Sequence, residues 1–266
     1  MPTRRESETI VLDHIDTGYE GKFDFPARVQ GPERTYLLAS VPRAGSTYFS
    51  HLLWRTGCLG APLEYLNFAP GGPYGFAANS PDMQQQLWHS LLRRRCSPNG
   101  IFGLKAFPVQ LEQLRRTNPA LLQDVLGTML PRDRRRSVVY LRRRNRVAHV
   151  VSYARAWLSG VWRKEQESAD APPIEYSEQT LDQAERGLSY QEEVWERMFA
   201  DLRIEPLTVW HEDVLADGTG VARQVADYLG VTIDVGAAIE VPQVQKQSAG
   251  AAKMWIDRYS QRANSD

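Results

Sequence analysis

Four short apolar runs, at 36–39, 101–104, 137–141 and 206–210, alternate along this chain with longer stretches whose apolar residues recur at helical spacing. Runs of four or five such residues suit buried strands and are too short for helices. Strands separated by helix-length segments join as parallel crossover units, because a parallel neighbour needs a connection long enough to return to the same edge. The pattern predicts an α/β fold, a parallel sheet flanked by helices. Helices are expected at 46–56, 81–95, 111–130 with a break at Pro119, 147–166, 179–202, 220–229 and 253–259. Residues 1–34 mix charge, Gly and Pro without periodicity and read as an arm or loops before a single domain at 35–266. The stretch F-A-P-G-G-P-Y-G-F at 68–76 cannot be a regular element and is expected as a surface loop or lid.

Composition narrows the function. Lys plus Arg is 32 and Asp plus Glu is 32, so the net charge is zero and any grip on an anion must come from local placement of cations. A nucleic-acid partner is therefore not expected, although residues 132–146 hold eight Arg and one Asp. Cys58 and Cys96 are spaced like neither a zinc site nor a disulfide framework, and no structural metal is expected. The first residues lack the apolar stretch of a secretory signal and no run approaches a membrane span, so a cytoplasmic location is expected.

The first chemically pointed segment is Ser40-Val41-Pro42-Arg43-Ala44-Gly45-Ser46-Thr47, between a predicted strand and a predicted helix. A helix start presents unpaired N–H groups and the positive end of its dipole. Gly45 permits a tight turn, Ser46 and Thr47 add hydroxyls, and Arg43 adds a cationic fork. Together these describe a phosphate or sulfate cradle; an ordinary strand-to-helix turn is the competing reading. It is not a Walker A loop, since the cation precedes the glycine, and a Mg²⁺-dependent kinase is disfavoured.

The second segment, Arg142-Arg143-Arg144-Asn145-Arg146, follows the third predicted strand, at the edge where parallel sheets collect ligands. Ser152 lies nine residues after Arg143 and eight after Arg144, on a helix able to turn its hydroxyl toward the same anion. A solvated charge run is the alternative. Lys105 closes a strand at the same edge, either as a donor or acceptor contact or as a surface lysine. His211, at the end of the fourth predicted strand, has a suitable pKa for a general base but is followed by Glu212 and Asp213, which offer it simple ion pairing. Tyr65, Phe68, Tyr74 and Phe76 are candidates for the apolar walls of an acceptor pocket. Trp157, Trp162, Trp195 and Trp255 read as core or interface, His51 and His89 as structural, and His149 as a helix-surface residue or phosphate neighbour.

Together, P-R-A-G-S-T and R-R-R-N-R-V-A-H-V-V-S-Y resemble the paired phosphate-binding segments of sulfotransferases that use 3'-phosphoadenosine 5'-phosphosulfate (PAPS). The similarity is closest to the mycobacterial trehalose 2-sulfotransferase family and extends over about 36–259. It includes G-A-P-L-E-Y-L-N-F at 60–68, P-N-G-I-F-G-L-K at 98–105, V-S-Y-A-R-A-W-L-S-G-V-W-R at 151–163 and K-Q-S-A-G-A-A-K-M-W-I-D-R-Y at 246–259. The resemblance implies a P-loop NTPase-like sulfotransferase fold and metal-free sulfuryl transfer to a hydroxyl of a small acceptor, a sugar or glycosylated metabolite. A homodimer is compatible with it. It also implies Arg43, Ala44, Gly45, Ser46 and Thr47 at the 5'-phosphosulfate, Arg143 or Arg144 with Ser152 at the 3'-phosphate, and Glu64 as base. Lys246 and Gln247 would lie near the nucleotide, where the family has an Arg-Gln pair. A nucleotide-binding or scaffolding protein that lacks a productive base is the non-enzymatic alternative.

Overall fold

The structure, a computed structural model, describes residues 16–167, 173–244 and 250–263. Four strands, β1 (Arg34–Ala39), β2 (Ile101–Ala106), β3 (Val138–Arg142) and β4 (Leu207–Trp210), form one sheet in the order β2-β1-β3-β4. Every pairing is parallel, with Leu38 opposite Lys105, Ala39 opposite Tyr140 and Arg142 opposite Trp210. The four carboxyl ends therefore share one edge. The chain runs from β1 to β2 on one side and then crosses back to β3 on the other side of β1, so the crevice beyond β1 and β3 is the topological switch point, where ligands of such sheets collect.

Helices are α1 (Ser46–Arg55), α2 (Pro81–Arg94), α3 (Pro108–Thr117), α4 (Pro119–Met129), α5 (Arg146–Ser159), α6 (Glu178–Leu202), α7 (His211–Ala216), α8 (Gly218–Leu229) and α9 (Gly250–Ala263). The expected break at Pro119 separates α3 from α4. Alternation along the strands divides the core in two: Leu37, Ala39, Leu104 and Tyr140 pack with α2 to α6, while Tyr36, Leu38, Val139 and Leu141 pack with α1 and α8. Trp195 and Trp255 are core, whereas Trp157 and Trp162 are exposed. The helix expected at 147–166 stops at Ser159, because Gly160 takes a left-handed conformation (φ 70°) as its C-cap. His211 does not end a strand; it begins α7.

The arm residues from 16 to 33 dock on the core. Arg95, at 1% exposure, donates to the carbonyls of Gly18 (2.8 Å), Glu20 (3.2 Å) and Phe23 (3.4 Å) and pairs with Asp24 at 2.8 Å. A buried cation with that many acceptors fixes the path of the arm, since leaving either charge alone would cost about 3–5 kcal/mol. The consequence for the site is that Tyr19 is held beside the loop that follows α1. Among the described residues no helix is long and apolar enough to cross a membrane.

Candidate active site

The centre of the carboxyl edge is the loop between β1 and α1. Ser40 is fully buried; its hydroxyl donates to the Leu141 carbonyl (3.2 Å) and its own carbonyl accepts from the Trp195 indole (2.7 Å), which ties the loop to β3 and α6. Two residues then take left-handed backbone, Arg43 (φ 66°) and Gly45 (φ 85°). Gly45 is required twice over, because a Cβ there would also collide with the His211 ring. The Ala44 methyl is buried. Ser46 opens α1, and its N-cap residue, Gly45, has no side chain to accept from the first-turn amides. By contrast, α2, α4, α5, α6 and α8 are capped by Ser80, Asn118, Asn145, Ser177 and Asp217. An uncapped helix start at a ligand edge is ready for an anion.

Helix α5 clamps this loop. The Arg43 guanidinium donates from Nε to the Ser152 hydroxyl (3.1 Å) and from Nη1 to the Trp162 carbonyl (2.6 Å). Arg143 donates from Nη1 to the carbonyl of Arg43 (3.2 Å). His149, wholly buried, lies within 2.8 Å of the Pro42 carbonyl through Nε2. Burial, followed by smaller effects that include the neighbouring cations, pushes its pKa down to about 3, so the ring is neutral at ordinary pH and the carbonyl assigns its proton to Nε2. Burial, then Arg143 and Arg155, pushes Arg43 down to about 10, and burial also lowers Arg143. Cations disfavoured in this way are stabilised by an anion between them.

The neighbouring arginines are neutralised. Arg144 makes two bonds to Asp213 (2.6 and 2.8 Å) while resting over the Trp210 ring, and Glu212 accepts from the amides of Arg144 (3.0 Å) and Asn145 (3.1 Å). Arg146 pairs with Glu185 (2.8 Å) and Glu192 (2.9 Å). Of the two candidate registers to Ser152, the structure thus brings Arg143 to the anion loop and turns Arg144 away.

On the other side of α1 sits a second polar cluster. Glu64 pairs with Lys105 at 2.9 Å, and Lys105 also donates to the Thr47 hydroxyl (3.3 Å). The second Glu64 oxygen accepts from Gln110 (3.3 Å) and Asn67 (3.4 Å), and the Glu64 amide donates to the Tyr19 hydroxyl (3.1 Å). Lys105 is 1% exposed and the Glu64 side chain 17%, so the carboxylate is the wetter end of the pair. Burial lowers the Lys105 pKa against the opposing pull of Glu64. Burial and then the Glu64 charge raise that of Tyr19, which keeps its proton.

The sequence model of the Stf0 sulphotransferase family matches residues 35–262. The chain belongs to that family. It is similar to trehalose 2-sulfotransferase of Mycobacterium tuberculosis (strain ATCC 35801 / TMC 107 / Erdman), with 26% identity over 86% of this chain and 96% of the relative. To trehalose 2-sulfotransferase of Mycolicibacterium smegmatis (strain ATCC 700084 / mc(2)155) it is 23% identical, over 87% of this chain and 96% of the relative. Among solved structures, the sulfotransferase domain of the Synechococcus PCC 7002 olefin synthase matches with a TM-score of 0.40 and 13% identity, over 89% of this chain and 98% of that one.

In this Stf0 sulfotransferase, Arg43, Gly45, Ser46, Thr47, Arg143 and Ser152 gather at one edge, with Glu64 and Lys105 linked to them through Thr47. Several expectations require correction. Lys105 is not a surface lysine; it is buried between Glu64 and Thr47. Tyr65, Phe68 and Tyr74 are core residues, with Tyr65 stacked on Phe102 and Tyr74 edge-on to Tyr19, whereas Phe76 is exposed. His149 is no surface residue. Lys246 and Gln247 lie outside the described residues. Tyr19 and Gln110 were missed: neither belongs to a spaced motif, and only the docked arm and the first turn of α3 bring them to Glu64. Among the described residues no group of three or more His, Cys, Asp or Glu is arranged to hold a metal ion.

Gly45→Ala is expected to abolish turnover while Gly45→Ala/His211→Ala recovers only part of it, because the second change removes the collision and leaves the left-handed strain. Steady-state assays of both variants, with circular dichroism as a folding control, check this; full activity in Gly45→Ala contradicts it.

Proposed function

We propose that this sulfotransferase moves the sulfuryl group of PAPS to a hydroxyl of a small acceptor, a sugar or glycosylated metabolite, with Glu64 as the base. The observation that carries the reading is the convergence of the uncapped start of α1 with Arg43, Arg143 and Ser152. A nucleotide phosphorylated at both ends needs two anion sites, and this edge offers two: amides and hydroxyls at Gly45, Ser46 and Thr47, and Arg143 with Ser152, each bonded to Arg43. Arg43 lies between them. The carbohydrate acceptor is supported by the relatives' names, trehalose 2-sulfotransferase.

The reaction forms a bond from the acceptor oxygen to sulfur and breaks the bond from sulfur to the bridging phosphate oxygen. The electron pair of the broken bond leaves with that phosphate, and the acceptor proton goes to Glu64. Arg43 and the amides of the α1 start stabilise charge growing on the leaving phosphate, and their fixed positions avoid reorganisation at the moment of transfer. Glu64 reaches the acceptor from its exposed side; its contacts with Gln110 and Asn67 are long enough for a hydroxyl to compete. Lys105 holds the carboxylate toward Thr47, so that base and leaving-group contact share one rigid support. His211, packed over Gly45, belongs to the donor side and serves the phosphate there.

Glu64→Gln is expected to lower kcat at least about tenfold, in the range of lost acid-base catalysis, while leaving the affinity for 3',5'-adenosine bisphosphate within about twofold. Calorimetry and turnover assays decide it; unchanged kcat contradicts Glu64 as base. Arg143→Ala is expected to weaken the bisphosphate at least about tenfold more than it weakens 5'-AMP, whereas Arg144→Ala alters the two alike, since Arg144 is spent on Asp213. A selective loss in Arg144→Ala instead would assign the 3'-phosphate to the other register.

A further inference from the structure

At the opposite edge of the sheet, the amino ends of β3 and β4, lies a second cationic cleft. Arg132, Arg134, Arg135, Arg136 and Arg203 line it beside Tyr228. Arg136 forms its wall, donating from Nε to the Pro131 carbonyl (3.1 Å) and from Nη1 to the Leu202 carbonyl (2.8 Å). Arg135 lies 4.7 Å over the Tyr228 ring. Arg132 and Arg203 have no ion-pair partner among the described residues, and Arg134 approaches only Asp133, at 3.9 Å with both side chains exposed. Glu205, the acidic residue of the lining, is exposed and makes no ion pair among the described residues. Several arginines elsewhere do sit on carboxylates, as Arg28 does on Glu33 and Arg116 on Glu112. A chain with balanced charge thus leaves one remote cleft strongly positive, a concentration of like charge that a bound anion relieves.

The backbone supplies an independent observation. Helix α6 closes with Ile204 N–H on the Phe199 carbonyl (2.8 Å) and Arg203 in left-handed conformation (φ 52°). Helix α8 closes in the same way with Val231 on Ala226 (2.8 Å), but there the left-handed residue is Gly230 (φ 64°), and α5 ends on Gly160 (φ 70°). Glycine is the ordinary occupant because it carries no Cβ to strain. Among the described residues, the two non-glycine residues with positive φ are Arg43, in the anion loop, and Arg203, in this cleft. Strain retained at an arginine is explained when the guanidinium is used.

We propose that this cleft is a second anion site, separate from the sulfuryl-transfer edge, and that it takes a small solute carrying two or more phosphate groups. The concave shape and the guanidinium lining fit such a solute; no exposed large apolar side chain lines the cleft to enter a membrane. Recognition is independent of any nucleobase, because the Tyr228 ring is already covered by Arg135.

Calorimetric titration of the full chain with tripolyphosphate at low ionic strength, against Arg132→Ala/Arg135→Ala and Arg203→Gly, tests it. Each variant is expected to weaken binding at least about tenfold, the loss of roughly one charge-assisted phosphate contact. Arg203→Gly is also expected to raise the Tm without ligand, because glycine relieves the left-handed backbone, so weakened binding in that variant cannot be read as misfolding. Wild-type affinity in both variants, or binding lost only in Arg43→Ala, overturns the site. Binding to phosphatidylserine vesicles without binding to tripolyphosphate also overturns it, in favour of a membrane surface.

Discussion

Arg43 occupies a backbone conformation that non-glycine residues avoid, in the loop leaving an inner strand of the sheet, and its guanidinium reaches α5 at Ser152 and the segment beyond it at Trp162. The surrounding site is arranged around that placement. Ser40, Trp195 and His149 hold the loop from below, Gly45 makes room for His211 and the turn into α1, and Arg143 is drawn to the carbonyl of Arg43 itself. Burial, then the charges of Arg143 and Arg155, disfavours the charged form of Arg43. Glu167 opposes the effect in part, while Asp213 is engaged by Arg144, Glu212 by two amides, and Glu185 and Glu192 by Arg146. The start of α1, whose N-cap Gly45 has no side chain, adds the positive end of its dipole to this cluster.

Thr47 connects the Arg43 loop to Glu64, the proposed base. Its hydroxyl accepts from Lys105, which in turn pairs with Glu64, so three residues from α1, β2 and the loop before α2 form one chain of contacts. With Lys105 almost wholly buried and Glu64 partly exposed, the pair is asymmetric: the lysine is fixed in the protein and the carboxylate is the end that meets solvent. Docking of the arm through Arg95 completes the surround, because it delivers Tyr19 to the Glu64 amide.

Strand and helix order was legible because strands buried on both faces read as continuous apolar runs, and Pro119 marked a helix break by chemistry alone. The two segments that meet at the carboxyl edge stood out for a related reason: glycine, hydroxyls and cations fall within a few residues, and that compression leaves a local signature. Partner choice was not. Nothing in the run Arg142 to Arg146 tells which arginine meets Asp213, 69 residues away from Arg144, and nothing in 60–68 shows that Tyr65 turns inward while Glu64 turns toward Lys105. The end of α5 was misjudged because apolar spacing continues to Val161, past the point where Gly160 stops the helix. Such features depend on which elements pack together, and spacing in one segment carries no record of that.

The account stands on the two anion segments holding opposite ends of one nucleotide. A crystal structure of the chain with 3',5'-adenosine bisphosphate tests this most directly. The expected result places the 5'-phosphate on the amides of Gly45, Ser46 and Thr47 and the 3'-phosphate on Arg143 and Ser152. A nucleotide bound elsewhere, with both segments unengaged, would contradict it.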